Sequence, residues 1–227
     1  MSFFTDLLNL VYPDLCTVCN ANLMKHENLV CLSCLNGIPK TNFHLQADNP
    51  LERRFWGKVS ISRGTAFFFF QKGSPFQKLL HALKYKGNKE IGELMGKYAA
   101  ADLLESPHFA GIDYIIPVPL HPEKFRKRGY NQSEWIGRGL SQILGKPQHT
   151  TNLVRIQKNT TQTKKSVFER YENTDGIFKL LDNKLFEGKH ILLVDDVLTT
   201  GSTLEACIKV LLETNGIKVS VFTLAIA

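Results

Sequence analysis

Gly188 to Thr203 reads GKHILLVDDVLTTGST, and this stretch decides the fold. Ile191 to Val194 is a short continuous apolar run with β-branched residues at both ends, which predicts a central strand of a parallel sheet, buried on both faces. Asp195 and Asp196 follow side by side. Then come Thr199, Thr200, Gly201, Ser202 and Thr203, and an apolar-periodic helix begins. In an open parallel sheet, ligands bind beyond the carboxyl ends of the strands, where the two acids emerge. The backbone N–H groups of the 199–203 turn have no intrahelical partner, and the helix dipole favours an anion there. The hydroxyls add donors, and Gly201 lets the backbone approach closely. Carboxylates accept hydrogen bonds from sugar hydroxyls and can draw in a hard cation. The stretch therefore suits a molecule with a phosphate at one end and vicinal hydroxyls beside it. A capped helix with no ligand is the alternative, but it gives the two acids little reason to adjoin.

ILLVDDVLTTGST resembles the phosphoribosyl-diphosphate (PRPP) binding motif of type I phosphoribosyltransferases. The resemblance implies an open, mostly parallel α/β sheet flanked by helices. It also implies that Asp195 and Asp196 hold the ribose 2′- and 3′-hydroxyls, with Mg²⁺ accompanying PRPP. Thr199, Thr200, Gly201, Ser202 and Thr203 would take the 5′-phosphate.

The chain has 227 residues, enough for one substantial core and a small appended module. Its hydrophobic content of 43% and charged content of 22% are ordinary for a globular protein. The net charge of +7 leans toward an anionic partner, polyphosphate or nucleic acid, though a solvated basic surface has the same composition. No segment has the length and apolarity to span a bilayer, so no membrane insertion is expected. The start, MSFFTDLLNLVYP, lacks a basic region and a cleavage site. Phe3, Phe4, Leu7 and Leu8 predict a short amphipathic helix there. A cytoplasmic location follows as an expectation, with the five cysteines kept reduced.

Four of those cysteines, Cys16, Cys19, Cys31 and Cys34, form two C-x-x-C pairs separated by eleven residues. Two such pairs can aim four thiolates at a tetrahedral centre, the arrangement of structural Zn²⁺. A redox pair is the runner-up, and His26 between the pairs is a spare ligand. The expectation is a closed zinc knuckle ending near Gly37-Ile38-Pro39.

The domains expected are therefore 1–40, helix and zinc knuckle; 41–72, linker and a strand or hood segment; and 73–227, the sheet domain. Within the second, Thr41 to Trp56 reads as irregular with a break at Asn49-Pro50, and Val59 to Phe70 as a strand kinked at Gly64. The four aromatics Phe67 to Phe70 suit a buried strand better than a base-stacking platform. Ser74-Pro75 predicts a helix start and Gly87 its end, with Leu79, Leu80 and Leu83 inward. A second helix from Lys89 to Leu104 is expected to bury Ile91, Leu94, Met95 and Tyr98. Asp113 to Leu120 reads as a buried strand and its exit, with Pro117 and Pro119 where pairing stops. The basic loop HPEKFRKRGYNQ follows, and Asn131 with Glu134 caps a helix running to Gly145. Residues 152–178 are polar and basic in the middle, predicting a mobile loop with a short helix capped by Ser166 and Glu169. After Thr203, Leu204, Cys207, Ile208 and Leu211 form a buried stripe, which makes Cys207 a small core residue. A last strand spans Lys218 to Ile226.

In type I phosphoribosyltransferases a strand-to-helix loop cradles pyrophosphate, and by position Val118, Pro119, Leu120 and His121 would supply its backbone, with Arg126, Lys127 and Arg128 nearby. A solvated basic loop is the other reading. By resemblance to the amidophosphoribosyltransferase kind of enzyme, Gln162, Lys164 and Arg170 fall in the flexible loop that closes over PRPP; a surface excursion is the other reading there.

The cysteine knuckle, LKYKG at 83–87, PVPL followed by RKRGYNQ, ERYEN and VDDVLTTGST together resemble the competence protein F (ComF) family. That resemblance covers nearly the whole chain. It implies a zinc module joined to a phosphoribosyltransferase domain, a role in natural transformation, and single-stranded DNA and DNA-uptake proteins as partners. Two activities are in view: a Mg²⁺-dependent phosphoribosyltransferase of unassigned acceptor, and a binding protein that holds single-stranded DNA through the basic segments, with Phe125, Tyr130 and Trp135 interleaved.

Overall fold

The computed structural model describes residues 13–156 and 176–227. The helix expected around Phe3, Phe4, Leu7 and Leu8, and the loop residues Gln162, Lys164, Ser166, Glu169 and Arg170, lie outside the described residues.

In chain order the described helices are α1 (Leu32–Asn36), α2 (Pro50–Arg53), α3 (Gln77–Tyr85), α4 (Glu90–Leu104), α5 (Pro122–Arg128), α6 (Gln132–Leu144) and α7 (Ser202–Leu212). The strands are β1 (Gly64–Phe69), β2 (Tyr114–Pro117), β3 (Leu153–Arg155), β4 (Phe178–Leu180), β5 (His190–Leu198) and β6 (Lys218–Ile226). Four of them form one sheet in the order β1-β6-β5-β2, every neighbour parallel. The pair β3-β4 is a separate antiparallel ribbon. Ile191, Leu192, Leu193 and Val194 on the central β5 have no exposed surface, as the apolar run predicts.

Alternation along β5 sends its apolar residues into two cores. Leu192 and Val194 pack with α3, α4 and α6, including Leu83, Met95 and Ile136. Ile191 and Leu193 pack with α7 and the β3-β4 ribbon, including Cys207, Leu211 and Phe178. Cys207 is fully buried, and burial pushes its thiol well above the ordinary value.

Several expectations need correction. The strand expected from Val59 begins at Gly64: residues 59–61 are irregular chain after the 54–58 turn, and Ser62 and Arg63 lead into the sheet through bonds to Val219 and Val221. Within residues 41–72, β1 is a strand of the main sheet. Nor is Asn49-Pro50 a break: Asn49 is buried, caps α2 by accepting from the Leu51 and Glu52 amides, and donates to the Gly64 carbonyl at 2.8 Å. On α4 the buried stripe is Ile91, Gly92, Met95, Gly96, Ala99, Ala100 and Leu103, and Tyr98 is 39% exposed. The stripe follows the small residues because α4 and α6 cross at backbone contact. A Cβ on Gly96 would meet the Ile136 carbonyl oxygen at 2.3 Å, and one on Gly139 the Glu93 oxygen at 2.1 Å.

The knuckle is built into the larger domain. Cys16, Val18, Val30, Cys31 and Leu35 belong to the same core as α3 and α4, and Lys78 Nζ on α3 donates to the Val18 carbonyl at 2.8 Å. The segment leaving the knuckle then runs along the outer edge of β1. Phe69 N donates to Pro39 O at 2.9 Å and Thr41 N to Phe67 O at 3.1 Å.

Candidate functional site

The four parallel strands end at one rim. There β2 pairs with β5 through Pro117 opposite Val194, and the Val118 amide still donates to the Val194 carbonyl at 2.9 Å. Pro119 has no N–H, so pairing stops. From Asp195 onward β5 continues to pair with β6 on its other side, and the edge it turned toward β2 opens into a cleft of about 190 Å³.

Both acids line this cleft. Asp195 Oδ1 accepts from Ser133 Oγ at 3.0 Å and from the Asp196 amide at 2.8 Å. Burial, and next the charge of Asp196, push the Asp195 carboxyl up to about 7, against those two hydrogen bonds. Asp196 is paired with Lys84 Nζ at 3.0 Å.

The 199–203 turn forms a smaller recess of about 40 Å³, which shares Asp195 and Thr203 with the cleft. Gly201 sits there at φ +83°, in the left-handed region that only glycine enters cheaply. The first intrahelical bond of α7 is Glu205 N to Gly201 O at 2.8 Å. The amides of Ser202, Thr203 and Leu204 are thus free to meet an anion at the helix start. Asp195 lines both the cleft and the recess, Asp196 the cleft, and the 199–203 turn the recess.

Val118, Pro119, Leu120 and His121 all line the cleft. Val118 is already committed, its amide to the sheet and its carbonyl to Asn131 Nδ2 at 3.0 Å. Leu120 and His121 are the amides of this stretch left for a ligand. The stretch expected to be a basic loop contains α5, with His121 as its N-cap and Gly129 as its left-handed C-cap. On that helix Lys124 and Arg128, four residues apart, line the cleft. Arg126 and Lys127 are exposed on the same helix and do not line the cleft. Arg128 is held by Gln132 Oε1 at 2.6 Å. Tyr130 is buried, its hydroxyl donating to the Leu83 carbonyl, so it offers no stacking face.

Arg155 on β3 also lines the cleft, lying 5.2 Å from the Phe178 ring. It was not singled out from sequence, and neither were Lys124 or Ser133. Nothing in the LVR of β3 distinguishes Arg155 from a surface arginine until the ribbon is folded against α7.

In the knuckle the four sulfurs of Cys16, Cys19, Cys31 and Cys34 lie within 4.8 Å of one another, a set that could bind a metal ion such as zinc. The Cys31 amide donates to Cys16 Sγ at 3.3 Å and the Ala21 amide to Cys19 Sγ at 3.5 Å. His26 is exposed and outside the set.

The phosphoribosyl transferase domain family matches residues 132–226, which carry Ser133, the acid pair and the turn. The sheet and this match give the larger domain the type I phosphoribosyltransferase fold. Competence protein F of Haemophilus influenzae is 37% identical over 155 residues, covering 66% of this chain and 68% of that protein. The chain belongs to the competence protein F family. Competence protein ComFC of Bacillus subtilis is 29% identical over 224 residues, 96% of this chain and 87% of that protein. DNA utilization protein YhgH of Escherichia coli K12 is 28% identical over 221 residues, 96% of this chain and 92% of that protein. The ComF assignment therefore spans the cysteine knuckle as well as the sheet domain. Among the described residues no helix is long and apolar enough to cross a membrane.

Proposed function

We propose that the cleft binds PRPP together with Mg²⁺, and that the chain is a phosphoribosyltransferase serving DNA utilization. One observation carries this reading: an anion-receiving helix start, two adjacent carboxylates and the cations Lys84, Lys124, Arg128 and Arg155 converge on one rim. The 5′-phosphate sits on the amides and hydroxyls of 199–203. Asp195 and Asp196 accept from the ribose hydroxyls and stabilise positive charge building on the sugar. The pyrophosphate end meets the Leu120 and His121 amides, with Lys124 and Arg128 neutralising the charge it carries away. Asp195 and Asp196 are hard oxygen donors of the kind Mg²⁺ takes, and the ion, when bound with the diphosphate, stabilises the leaving group. Lys84 must exchange Asp196 for the ligand as it binds.

Calorimetric titration with PRPP and Mg²⁺ tests this. The wild type is expected to bind, and the double variant Asp195→Ala with Asp196→Ala to lose at least a hundredfold in affinity while keeping its circular dichroism. Undiminished affinity in that variant overturns the reading. Pyrophosphate release in the presence of candidate bases, amines and oligonucleotides then tests transfer.

A second reading, single-stranded DNA binding, is favoured by the exposed Phe125, Arg126 and Lys127 of α5, which the cleft does not use, and by the names of the relatives. Charge reversal at Arg126 and Lys127 is expected to weaken oligonucleotide binding and flatten its salt dependence. Indifference to both changes removes α5 from any DNA path.

A further inference from the structure

Asp195 and Asp196 adjoin in sequence but are held in opposite ways. Asp196 is paired with a cation, Lys84 Nζ at 3.0 Å, which a ligand has to displace. Asp195 accepts from two neutral donors, Ser133 Oγ at 3.0 Å and the Asp196 amide at 2.8 Å, both on Oδ1. We propose that Ser133 is a positioning residue that makes the cleft prefer a ribose to a 2-deoxyribose, by turning the other oxygen of Asp195 toward the sugar. The proposal deepens the PRPP reading and rests on it.

The backbone of Asp195 is fixed by the sheet, where it stands opposite Thr223 of β6. Its carboxylate needs a separate constraint, because rotation about the Cβ–Cγ bond of an aspartate is broad and roughly two-fold. Two donors on Oδ1 stop that rotation, and among the described residues Oδ2 accepts no hydrogen bond. Asp195 lines the cleft, so this oxygen is an acceptor aimed before any ligand arrives.

Of the two donors, the Asp196 amide belongs to the next residue along the same strand. Ser133 comes from another element: it is the second residue of α6 and is only 4% exposed. Asn131, the cap of that helix, accepts from the Ser133 amide at 3.2 Å and donates to the Val118 carbonyl at 3.0 Å. Ser133 is thereby fixed relative to residues 118–121 of the cleft as well as to β5. A hydroxyl suits this task, since it orients the carboxylate and leaves its charge in place. Lys84 neutralises Asp196 and so cannot do the same for it.

A site built to bond a hydroxyl discriminates against the analogue that lacks it. Without Ser133 the carboxylate is free to turn, and a ribose must order it on binding. A 2-deoxyribose, lacking one hydroxyl, gains less from the fixed carboxylate and so loses less when it is freed.

Calorimetric titration of the full-length protein in Mg²⁺-free buffer tests this, with ribose 5-phosphate, 2-deoxyribose 5-phosphate and inorganic phosphate as ligands. Wild type is expected to bind the ribose compound about tenfold more tightly than the 2-deoxy compound. In Ser133→Ala the ribose compound should weaken about tenfold. The 2-deoxy compound and inorganic phosphate should stay within about twofold of wild type there. Inorganic phosphate reports an intact 199–203 turn, which lies on a different element from Ser133, and a merely structural role would weaken all three ligands together. Equal loss of all three in Ser133→Ala, or a sugar preference unchanged from wild type, overturns the proposal. So does a wild type that binds both sugar phosphates equally. A wild type that binds neither sugar phosphate nor PRPP sinks the PRPP reading, and the proposal with it.

Discussion

Asp195 carries the sharpest consequence at the scale of single residues. Its carboxyl is pushed up to about 7 by burial and then by Asp196. An acid whose folded pKa is raised binds more protons folded than unfolded, so stability falls as pH rises from about 4 to about 7. The Asn variant keeps the shape and loses the charge. Asp195→Asn is therefore expected to be more stable than wild type at pH 8, by about 1–3 kcal/mol, and to lack the wild-type decline across that range. Urea unfolding at pH 5 and pH 8 reads both. The acid pair and the hydroxyl turn were legible because they adjoin in sequence and their roles follow from strand and helix geometry. Arg155, Lys124 and Ser133 were not, since each reaches the cleft from its own element. Of Arg126, Lys127 and Arg128, only the last lies on the cleft side of a helix that a basic composition disguised as loop.

At the scale of elements, the glycines of α4 and α6 set the distance between two helices. Gly139→Ala places a methyl 2.1 Å from the Glu93 carbonyl oxygen, backbone that cannot swing aside. It is expected to cost about 2 kcal/mol or more, seen as a lower melting temperature. A different cost falls at the phosphate turn: Gly201→Ala meets ordinary contacts but must hold φ +83°. A loss of about 1–2 kcal/mol is expected there, together with weaker PRPP binding as the turn relaxes. Equal PRPP affinity in Gly201→Ala and wild type would separate the turn from the ligand. Cap residues located α6 and apolar periodicity α4, but periodicity aimed the α4 stripe at Tyr98 instead of the neighbouring Ala99. Periodicity weighs large side chains, and here contact runs through the smallest. Likewise, the apolar residues Val59 and Ile61 suggested an earlier strand start, but the Val59 amide is tied back to the Phe55 carbonyl at 3.2 Å and bonding to β6 begins with the Ser62 amide, which donates to Val219 O at 2.7 Å.

For the molecule as a whole, the knuckle and the sheet domain share one core, so a metal held by the four sulfurs would be coupled to the fold. A strong chelator is expected to lower the melting temperature of the entire protein in a single transition. Two separate transitions would mean the knuckle is an independent bead. Removal of residues 1–40 should give insoluble protein, because α3 and α4 lose the cover of Val18, Val30 and Leu35. The cysteine spacing made the knuckle legible; its seat on α3 was not, because the Lys78 bond to the Val18 carbonyl joins distant parts of the chain with no pattern in either.

The strip of chain from Pro39 to Thr41, laid along β1, has a further meaning. It occupies the hydrogen-bonding groups that an uncovered outer strand would offer to any passing backbone. Because that strip is anchored by the knuckle, loosening the four-cysteine set would unzip a guard rail. The expected damage is then collective, with molecules stitching to one another and precipitating.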